Sequence, residues 1–482
     1  MKKSIKNVTS RFGLILCCIG TLFGCQSPEE ENILPPPVVE PVPVEFYLTK
    51  ADQSVLFKKQ TSGISGYSEN NYATINVNSS NEYQEIDGFG YSLTGGSALH
   101  INNMSSSSRG ELLNDLFKKD GESIGVSYLR ISIGASDLDI APFTYNDLPQ
   151  GETDIEMTKF SIAEDKKNLI PVIREILQIN SNIKILASPW SPPSWMKTNQ
   201  ASKGGSLKPE YYGAYAKYFV AYVKAMDAEG IDINAITIQN EPLHPGNNPS
   251  LLMEAMDQAD FVKNHLGPAF ETNGISTKII IYDHNADRTD YPISILDDSE
   301  ANKFIDGSAF HLYAGNISEL SKVHLAHPDK NIYFTEQWVG ANEKFEDNLK
   351  WHTRELIIGA TRNWCKTVLE WNLASNSNLE PHTDGGCTEC LGALTIDGNS
   401  VVKNVAYYTI AHASKFVRPG SKRIESNYNN ELPNVAFTTP EGAIVVVVLN
   451  NTNVAKTFNI KAGEDPITTT LDGGAVGTYV WN

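Results

Sequence analysis

Residues 235–242 read AITIQNEP, a short apolar run that ends in polar residues and a carboxylate. Seven further segments have the same form, with apolar and often β-branched residues followed by polar or aromatic ones. They are 84–90 (QEIDGFG), 126–134 (VSYLRISIG), 183–190 (IKILASPW), 278–285 (KIIIYDHN), 306–313 (DGSAFHLY), 331–338 (NIYFTEQW) and 367–374 (TVLEWNLA). A strand that is buried on both faces has such a near-continuous apolar sequence. Eight of them, alternating with helical patterns, predict a (β/α)8 barrel, whose chemistry lies at the carboxyl ends of its strands.

Outside this region the pattern changes from mixed helix and strand to strand alone. Amphipathic patterns predict helices at 109–119, 162–179, 209–229, 251–266, 347–362 and 404–416. Short alternating segments occupy 46–82 and 415–482, and GAIVVVVLN at 442–450 is the strongest. We therefore predict an α/β protein in which a TIM barrel spans 83–414. The segments on both sides of the barrel are expected to form one appended β-sandwich.

The composition limits the class of function. The chain has 482 residues, which is enough for a barrel of ~250 residues and a smaller domain. Its net charge of −18 argues against binding to nucleic acid or to an anionic membrane surface. We expect a monomer with no nucleic-acid partner.

The first 45 residues have the pattern of an export signal followed by a tether. Basic residues precede an apolar stretch at 12–23 that is too short to span a bilayer. The stretch ends in Leu22-Phe23-Gly24-Cys25, which resembles a bacterial lipobox with Cys25 as the lipidated residue. A plain signal peptide is the alternative. Residues 25–45 are Pro-rich and acidic, which predicts an extended tether. We expect a lipid-anchored protein of the outer membrane, exposed at the cell surface and attached to the membrane only through its anchor.

Three cysteines remain beyond Cys25. In an exported protein Cys387 and Cys390 can form a disulfide that closes a small loop. Free thiols are the second possibility. A metal site is the third, but it would need two further ligands and only His382 is near.

Two glutamates stand at the ends of predicted barrel strands, and their spacing along the sequence indicates that they face each other. Glu241 ends the fourth predicted strand and Glu336 the seventh, and 95 residues separate them. Because a βα unit has about 31 residues, three units separate the two side chains, which should face each other across the barrel mouth. Glycoside hydrolysis needs such a carboxyl pair. A single glutamate at a strand end is usually part of a surface ion pair, and the pairing is what favours catalysis here. We assign Glu241 as general acid/base, with a raised pKa, and Glu336 as nucleophile.

These motifs together resemble glycoside hydrolase family 30, which includes glucosylceramidases and endo-β-1,6-glucanases. The resemblance runs from about residue 83 to the C-terminus. It rests on short motifs: IDGFG at 86–90, Leu129-Arg130 with Ser136-Asp137, ASPWSPPSWMK at 187–197, NEP at 240–242, HLY at 311–313, TE at 335–336 and WNLA at 371–374. It implies a barrel fused to a β-sandwich, retention of configuration, and neither metal nor cofactor.

The resemblance also implies a set of sugar-binding residues: Arg130, Asp137, Trp190, Asn240, His311, Tyr313 and Trp371. Arg130 and Asp137 suit a buried ion pair or contacts with sugar hydroxyls. The tryptophans offer apolar faces to a sugar ring, and Tyr313 can hydrogen-bond the nucleophile. His311 is either a site residue or a core histidine.

The segment 376–392 (NSNLEPHTDGGCTECLG) looks most like the β-1,6-glucanase branch of the family. An endo-acting hydrolase of β-1,6-glucan is therefore the expected function. The alternatives are an exo-acting β-glucosidase or glucosylceramidase, a xylan-active enzyme, and a surface glycan-binding lipoprotein without catalysis.

Overall fold

A computed structural model describes residues 44–482. The predicted signal peptide, Cys25 and nearly all of the tether lie outside the described residues. Strand Val44–Thr49 includes residues 44 and 45, the last two of the predicted tether. None of the helices in the described part of the chain is long and apolar enough to cross a membrane.

Eight parallel strands close into a barrel, as the sequence predicted. Each strand pairs with the next along the chain, and the eighth pairs with the first. In chain order they are Gly88–Ser92, Tyr128–Ser132, Lys184–Ser188, Ala235–Thr237, Lys278–Asn285, Ile305–His311, Asn331–Glu336 and Cys365–Asn372.

Helices surround the barrel. The α-helices are Gly95–Asn103, Ser106–Phe117, Leu169–Ile179, Tyr212–Ala228, Ala255–Phe261, Gly267–Thr272, Asp290–Leu296, Ser299–Asn302, Leu320–Ala326, Phe345–His352 and Val405–Ser414, with π-helical segments at Val262–Leu266 and Thr353–Ala360 and 3-10 turns at Ser194–Met196, Pro209–Tyr211 and Ile317–Glu319. The predicted helix 162–179 begins only at Leu169. Before it, the chain turns around the buried Asp165, which accepts a hydrogen bond from the hydroxyl of Tyr145.

Ten strands form the β-sandwich, and they come from both sides of the barrel sequence. In sheet order they are Lys58–Gln60, Val44–Thr49, Val476–Trp481, Ile444–Leu449, Asn434–Thr438, Lys422–Ser426, Ala73–Glu85, Lys456–Lys461, Ile467–Leu471 and Ile64–Gly66. Val44–Thr49 pairs antiparallel with Val476–Trp481, so the first described strand lies beside the last. The predicted fold class, a TIM barrel with an appended β-sandwich, is confirmed.

The predicted strand 84–90 is in fact shared between the two domains. Gln84 and Glu85 end a sandwich strand, and the barrel strand begins at Gly88. The change of direction needs glycine, because Gly88 has a φ of +149°. A Cβ on Gly90 would lie 1.8 Å from the carbonyl oxygen of Tyr128, so glycine also allows the first two barrel strands to approach.

Small sheets complete the rim of the barrel. Val339–Gly340 pairs antiparallel with Cys390–Leu391, which attaches the 376–392 segment beside the strand that carries Glu336. A second rim sheet consists of Ala374–Ser375, Leu394–Asp397 and Ser400–Lys403.

Candidate active site

The barrel interior changes from apolar to polar toward the carboxyl ends of the strands. A buried apolar layer comprises Tyr128, Leu186, Ala235, Ile280, Ala309, Tyr333 and Leu369. Two or three residues further along the strands, inward side chains such as Arg130, Ser188 and Asp283 carry charges and hydroxyl groups. The strands therefore deliver polar groups to one end of a packed core, where water is largely excluded.

Arg130 is the central cation of this polar layer. Its side chain is fully buried. Nη1 donates to Glu336 Oε2 at 2.5 Å, and Nη2 donates to Asp283 Oδ2 at 2.8 Å and to Asn240 Oδ1 at 2.7 Å. The ion pair considered between Arg130 and Asp137 is wrong, because Asp283 and Glu336 take the guanidinium.

Asp283 is a site residue that the sequence analysis missed. It lies at the end of the fifth barrel strand and is fully buried. Its carboxylate accepts hydrogen bonds from the hydroxyls of Ser188, Thr237 and Thr335, at 2.6 to 2.8 Å. Burial alone would raise its pKa, but the charge of Arg130 and the hydrogen bond from His311 lower it. The sequence feature that could have identified Asp283 is the polar ending YDHN, at 282–285, of that strand.

Glu241 and Glu336 meet at the barrel mouth. A carboxylate oxygen of each lies within 4.8 Å of the other and of a ring nitrogen of His311. The backbone of Glu241 has a φ of +45°, which is rare for a residue with a side chain, and its N–H donates to the carbonyl oxygen of Asp283 at 3.0 Å. This strained conformation is fixed by the fifth strand and directs the carboxylate inward.

His311 connects the acidic groups. It is fully buried, and the distance from its Nε2 to Asp283 Oδ1 is 3.1 Å. Its Nδ1 lies 3.4 Å from Glu241 Oε1 and 3.7 Å from Glu336 Oε1. Burial alone would lower the pKa of His311, but the three surrounding carboxylates raise it to about 9. Of the two alternatives for His311, the structure places it in the site.

The pKa values of the two glutamates shift in opposite directions, and the shift of Glu241 is opposite to the expectation. Burial raises the pKa of Glu336, and the charges of His311 and Arg130 offset this only in part. Burial acts on Glu241 as well, but the hydrogen bond and positive charge of His311 lower its pKa overall. The expected raised pKa of Glu241 is therefore wrong, because the positive charge of His311 lies beside it.

Tyr313 and Asn240 are fixed in orientations that suit binding. The Tyr313 hydroxyl donates to Glu336 Oε1 at 2.9 Å, so Arg130 and Tyr313 together hold both carboxylate oxygens of Glu336. Because the Asn240 oxygen accepts from Arg130, its amide NH2 group points away from the guanidinium. That NH2 group is available to a substrate hydroxyl.

The walls of the site are aromatic. Trp190 and Trp371 stack with ring centroids 5.4 Å apart, and the Arg130 guanidinium lies 4.8 Å from the Trp190 ring centre. The cavity has a volume of about 340 Å³, which is in the range of small-ligand sites. Residues absent from the predicted set also line it: His244, Asn247, His284, Asn285 and Trp338.

Asp137 reaches the cavity from a different wall. The N–H of Cys387 donates to its Oδ2 at 3.2 Å, and Cys387 is bonded to Cys390 as a disulfide. Burial and the nearby charge of Glu336 raise the pKa of Asp137 to about 7. Asp137 is thus held by the disulfide loop, and its carboxyl faces the cavity.

Metal chemistry is a poor fit to this donor set. Within residues 44–482, Glu241, His311 and Glu336 are the side chains whose potential ligand atoms converge. Arg130 already donates to Glu336, and its positive charge opposes a second cation.

Comparison with known proteins agrees with the fold. The Glycosyl hydrolase family 30 TIM-barrel domain matches residues 86–417, and the family 30 beta sandwich domain matches residues 420–479. An endo-1,6-beta-D-glucanase of Neurospora crassa is 33% identical, over 81% of this chain and 84% of that protein. The lysosomal acid glucosylceramidase of Mus musculus is 29% identical, over 83% of this chain and 82% of that protein.

A solved structure, the endo-beta1,6-glucanase BT3312, superposes with a TM-score of 0.84 at 35% identity, covering 91% of this chain and 99% of that one. The two family domains cover the barrel and the C-terminal part of the sandwich. This chain belongs to glycosyl hydrolase family 30 and is a glycoside hydrolase.

Proposed function

We propose that the protein is a retaining hydrolase that cleaves β-1,6-glucan within the chain. The observation that carries the mechanism is the separation of Glu241 and Glu336, whose nearest carboxylate oxygens lie within 4.8 Å. Carboxyl groups about 5–5.5 Å apart belong to double displacement, whereas inversion needs roughly 6.5–9.5 Å to admit a water.

Glu336 is the nucleophile in this proposal. Arg130 and Tyr313 donate to its two oxygens, and such donors stabilise the ionised carboxylate that must attack. Its attack on the anomeric carbon forms a glycosyl ester and breaks the glycosidic bond. The leaving oxygen takes a proton from Glu241.

The proton that Glu241 delivers is shared with His311. Because the pKa of His311 is about 9, the cluster retains a proton at neutral pH. Its transfer from Nδ1 to Glu241 Oε1, 3.4 Å away, yields a neutral histidine and a protonated acid. Once the ester has formed, Glu336 has lost its charge and no longer repels an ionised Glu241. Glu241 then acts as base toward the water that hydrolyses the ester.

The identity of the polysaccharide rests on the relatives. Proteins named endo-1,6-beta-D-glucanase in Neurospora crassa and Trichoderma harzianum share 33% identity with this chain. The test is a time course of products from β-1,6-glucan, with residues 26–482 as soluble protein. A ladder of β-1,6-linked oligosaccharides is expected.

Other product patterns would change the proposal in defined ways. Glucose as the sole product would contradict endo action and favour an exo-acting enzyme. No product at all would contradict the β-1,6 assignment and direct the search to glucosylceramide-like β-glucosides, and then to xylan.

We also infer that the protein is a lipoprotein of the outer membrane, exposed at the cell surface. The basic residues, the apolar stretch and Leu22-Phe23-Gly24-Cys25 support this inference. Labelling of cells with radioactive palmitate should mark the wild type but not Cys25→Ala. Proteinase K added to intact cells should remove the wild-type protein, and protection from the protease would contradict surface exposure.

A further inference from the structure

A second cavity lies beside the catalytic pocket and shares Trp338 with it. Its volume is about 600 Å³. The lining residues all come from the segment 337–352, which begins directly after Glu336. We call it the Trp351 groove, after the second indole in its wall. The groove and the catalytic pocket are therefore contiguous at Trp338.

The groove contains a buried polar group without a protein partner. Gln337 is 6% exposed, and its side-chain oxygen makes no hydrogen bond within residues 44–482. Burial of an acceptor without a donor is unfavourable. Because that oxygen is itself closed off from solvent, a ligand hydroxyl in the groove becomes its partner only when the Gln337 side chain rotates.

The other lining groups fit a neutral sugar. Trp338 and Trp351 are half-buried and can offer an apolar face to a pyranose ring. The Asn348 side chain can exchange hydrogen bonds with sugar hydroxyls. Glu343, Asp347 and Lys344 together give the groove one net negative charge, which does not favour an anionic polysaccharide.

We propose that the Trp351 groove is a glucosyl-binding subsite that holds units of the polysaccharide beyond those in the catalytic pocket. The proposal rests on the proposed function and extends it to chain-length preference. Continuity through Trp338 is the reason for choosing this occupant, because one chain can contact both cavities. Binding energy gained in the groove would favour long substrates over short ones.

The test compares β-1,6-linked gluco-oligosaccharides of two to six units as substrates of the purified enzyme. Trp351→Ala removes an aromatic face, and Asp347→Trp fills the groove from an exposed position. Glu346→Trp is the matched control, since Glu346 is exposed on the same helix and does not line the groove. The readout is the ratio of kcat/KM for the hexasaccharide to that for the disaccharide.

In the wild type and in Glu346→Trp we expect this ratio to be high. In Trp351→Ala and Asp347→Trp it should fall about ten-fold, mainly through KM. Asp347→Trp keeps the test decisive if Trp351→Ala does not fold. An unchanged ratio in both groove variants would overturn the subsite and leave the proposed function standing. Failure of the wild type to cleave any of these oligosaccharides would overturn the proposed function and, with it, the occupant of the groove.

Discussion

At the scale of single residues, the site depends on how charge is balanced around Arg130. A fully buried guanidinium is unfavourable unless carboxylates compensate it. Asp283 and Glu336 both do so, but their roles differ. Asp283 is enclosed by hydroxyl donors and serves as a permanent counter-ion, whereas Glu336 borders the cavity. Because Asp283 remains a counter-ion, Arg130 can orient Glu336 and still be compensated when Glu336 loses its charge.

The roles of the two glutamates can be distinguished by how the activity of each variant depends on the leaving group of the substrate. Glu336→Gln should lower kcat by a factor of about 10³ or more on every substrate, because no ester can form. Glu241→Gln should lose a similar factor on glucan but much less on 2,4-dinitrophenyl β-glucoside, whose leaving group needs no proton. Steady-state kinetics on both substrates measures the difference.

The control for this pair is Glu346→Gln, an exposed glutamate on the helix Phe345–His352. It should retain wild-type rates. Full glucan hydrolysis by Glu336→Gln would contradict the nucleophile assignment. Equal losses on both substrates in Glu241→Gln would contradict its role as the acid.

Removal of the Tyr313 hydroxyl should change the pH profile. The hydroxyl donates to Glu336 at 2.9 Å and stabilises its ionised form, so Tyr313→Phe should raise the pKa of Glu336. The acid limb of kcat/KM is then expected to move to higher pH, and kcat to fall about ten-fold. A reduced kcat with an unmoved acid limb would show that Tyr313 acts on the substrate rather than on the nucleophile.

The sequence indicated individual site residues more readily than the hydrogen bonds and ion pairs that join them. Glu241 and Glu336 could be found because each stands at the end of a recognisable apolar run, and Asn240 and His311 because their motifs resemble those of the family. Asp283 could not be ranked above other polar strand ends, because its importance comes from hydroxyls on three other strands. The predicted rise in the pKa of Glu241 was wrong for the same reason. That pKa depends on His311, which lies 70 positions further along the chain.

At the scale of elements, the disulfide loop supports the part of the cavity wall that carries Asp137. Cys390–Leu391 pairs with Val339–Gly340, and Cys387 donates its N–H to Asp137. The disulfide joins residues only three positions apart, so the loop that it closes is short. Its contribution to the free energy of unfolding is therefore small, at most about 2 kcal/mol in the chain-entropy account. Its main effect is expected to be on the position of Asp137.

The double variant Cys387→Ser/Cys390→Ser tests this expectation. KM for the glucan should rise several-fold, kcat should change less, and Tm should fall by only a few degrees. Dithiothreitol should reproduce the change in the wild type and have no effect on the variant. An unchanged KM would show that the loop holds Asp137 without the disulfide.

Helices and strands could be predicted where the pattern of apolar residues in the sequence was unambiguous. All eight barrel strands follow from apolar runs. Short helices such as Asp290–Leu296 and Leu320–Ala326 were missed because seven residues contain too few turns to establish a period. The limits of the first barrel strand were wrong because one continuous run serves two sheets and is divided only by the backbone at Gly88.

At the scale of the whole molecule, the helix Val405–Ser414 unites the two domains. All ten of its residues are buried, whereas a helix on the outside of a barrel normally has one face exposed to solvent. His412 on this helix lies 2.8 Å from the hydroxyls of both Thr49 and Thr478, which belong to sandwich strands. Because barrel and sandwich share this buried element, we expect them to unfold in one transition.

His412 should make that transition sensitive to acid. Burial lowers its pKa to about 3, against about 6.5 in an unfolded chain. Between these values the unfolded state binds one more proton, so the free energy of unfolding falls by about 1.4 kcal/mol per pH unit as the pH is lowered, while the stabilisation is complete above about 6.5. His412→Gln keeps a neutral polar group and removes this titration. Urea unfolding at pH 7 and pH 5 should show the wild type losing about 2 kcal/mol more than the variant, and equal losses would mean that His412 does not control the acid stability of the domain junction.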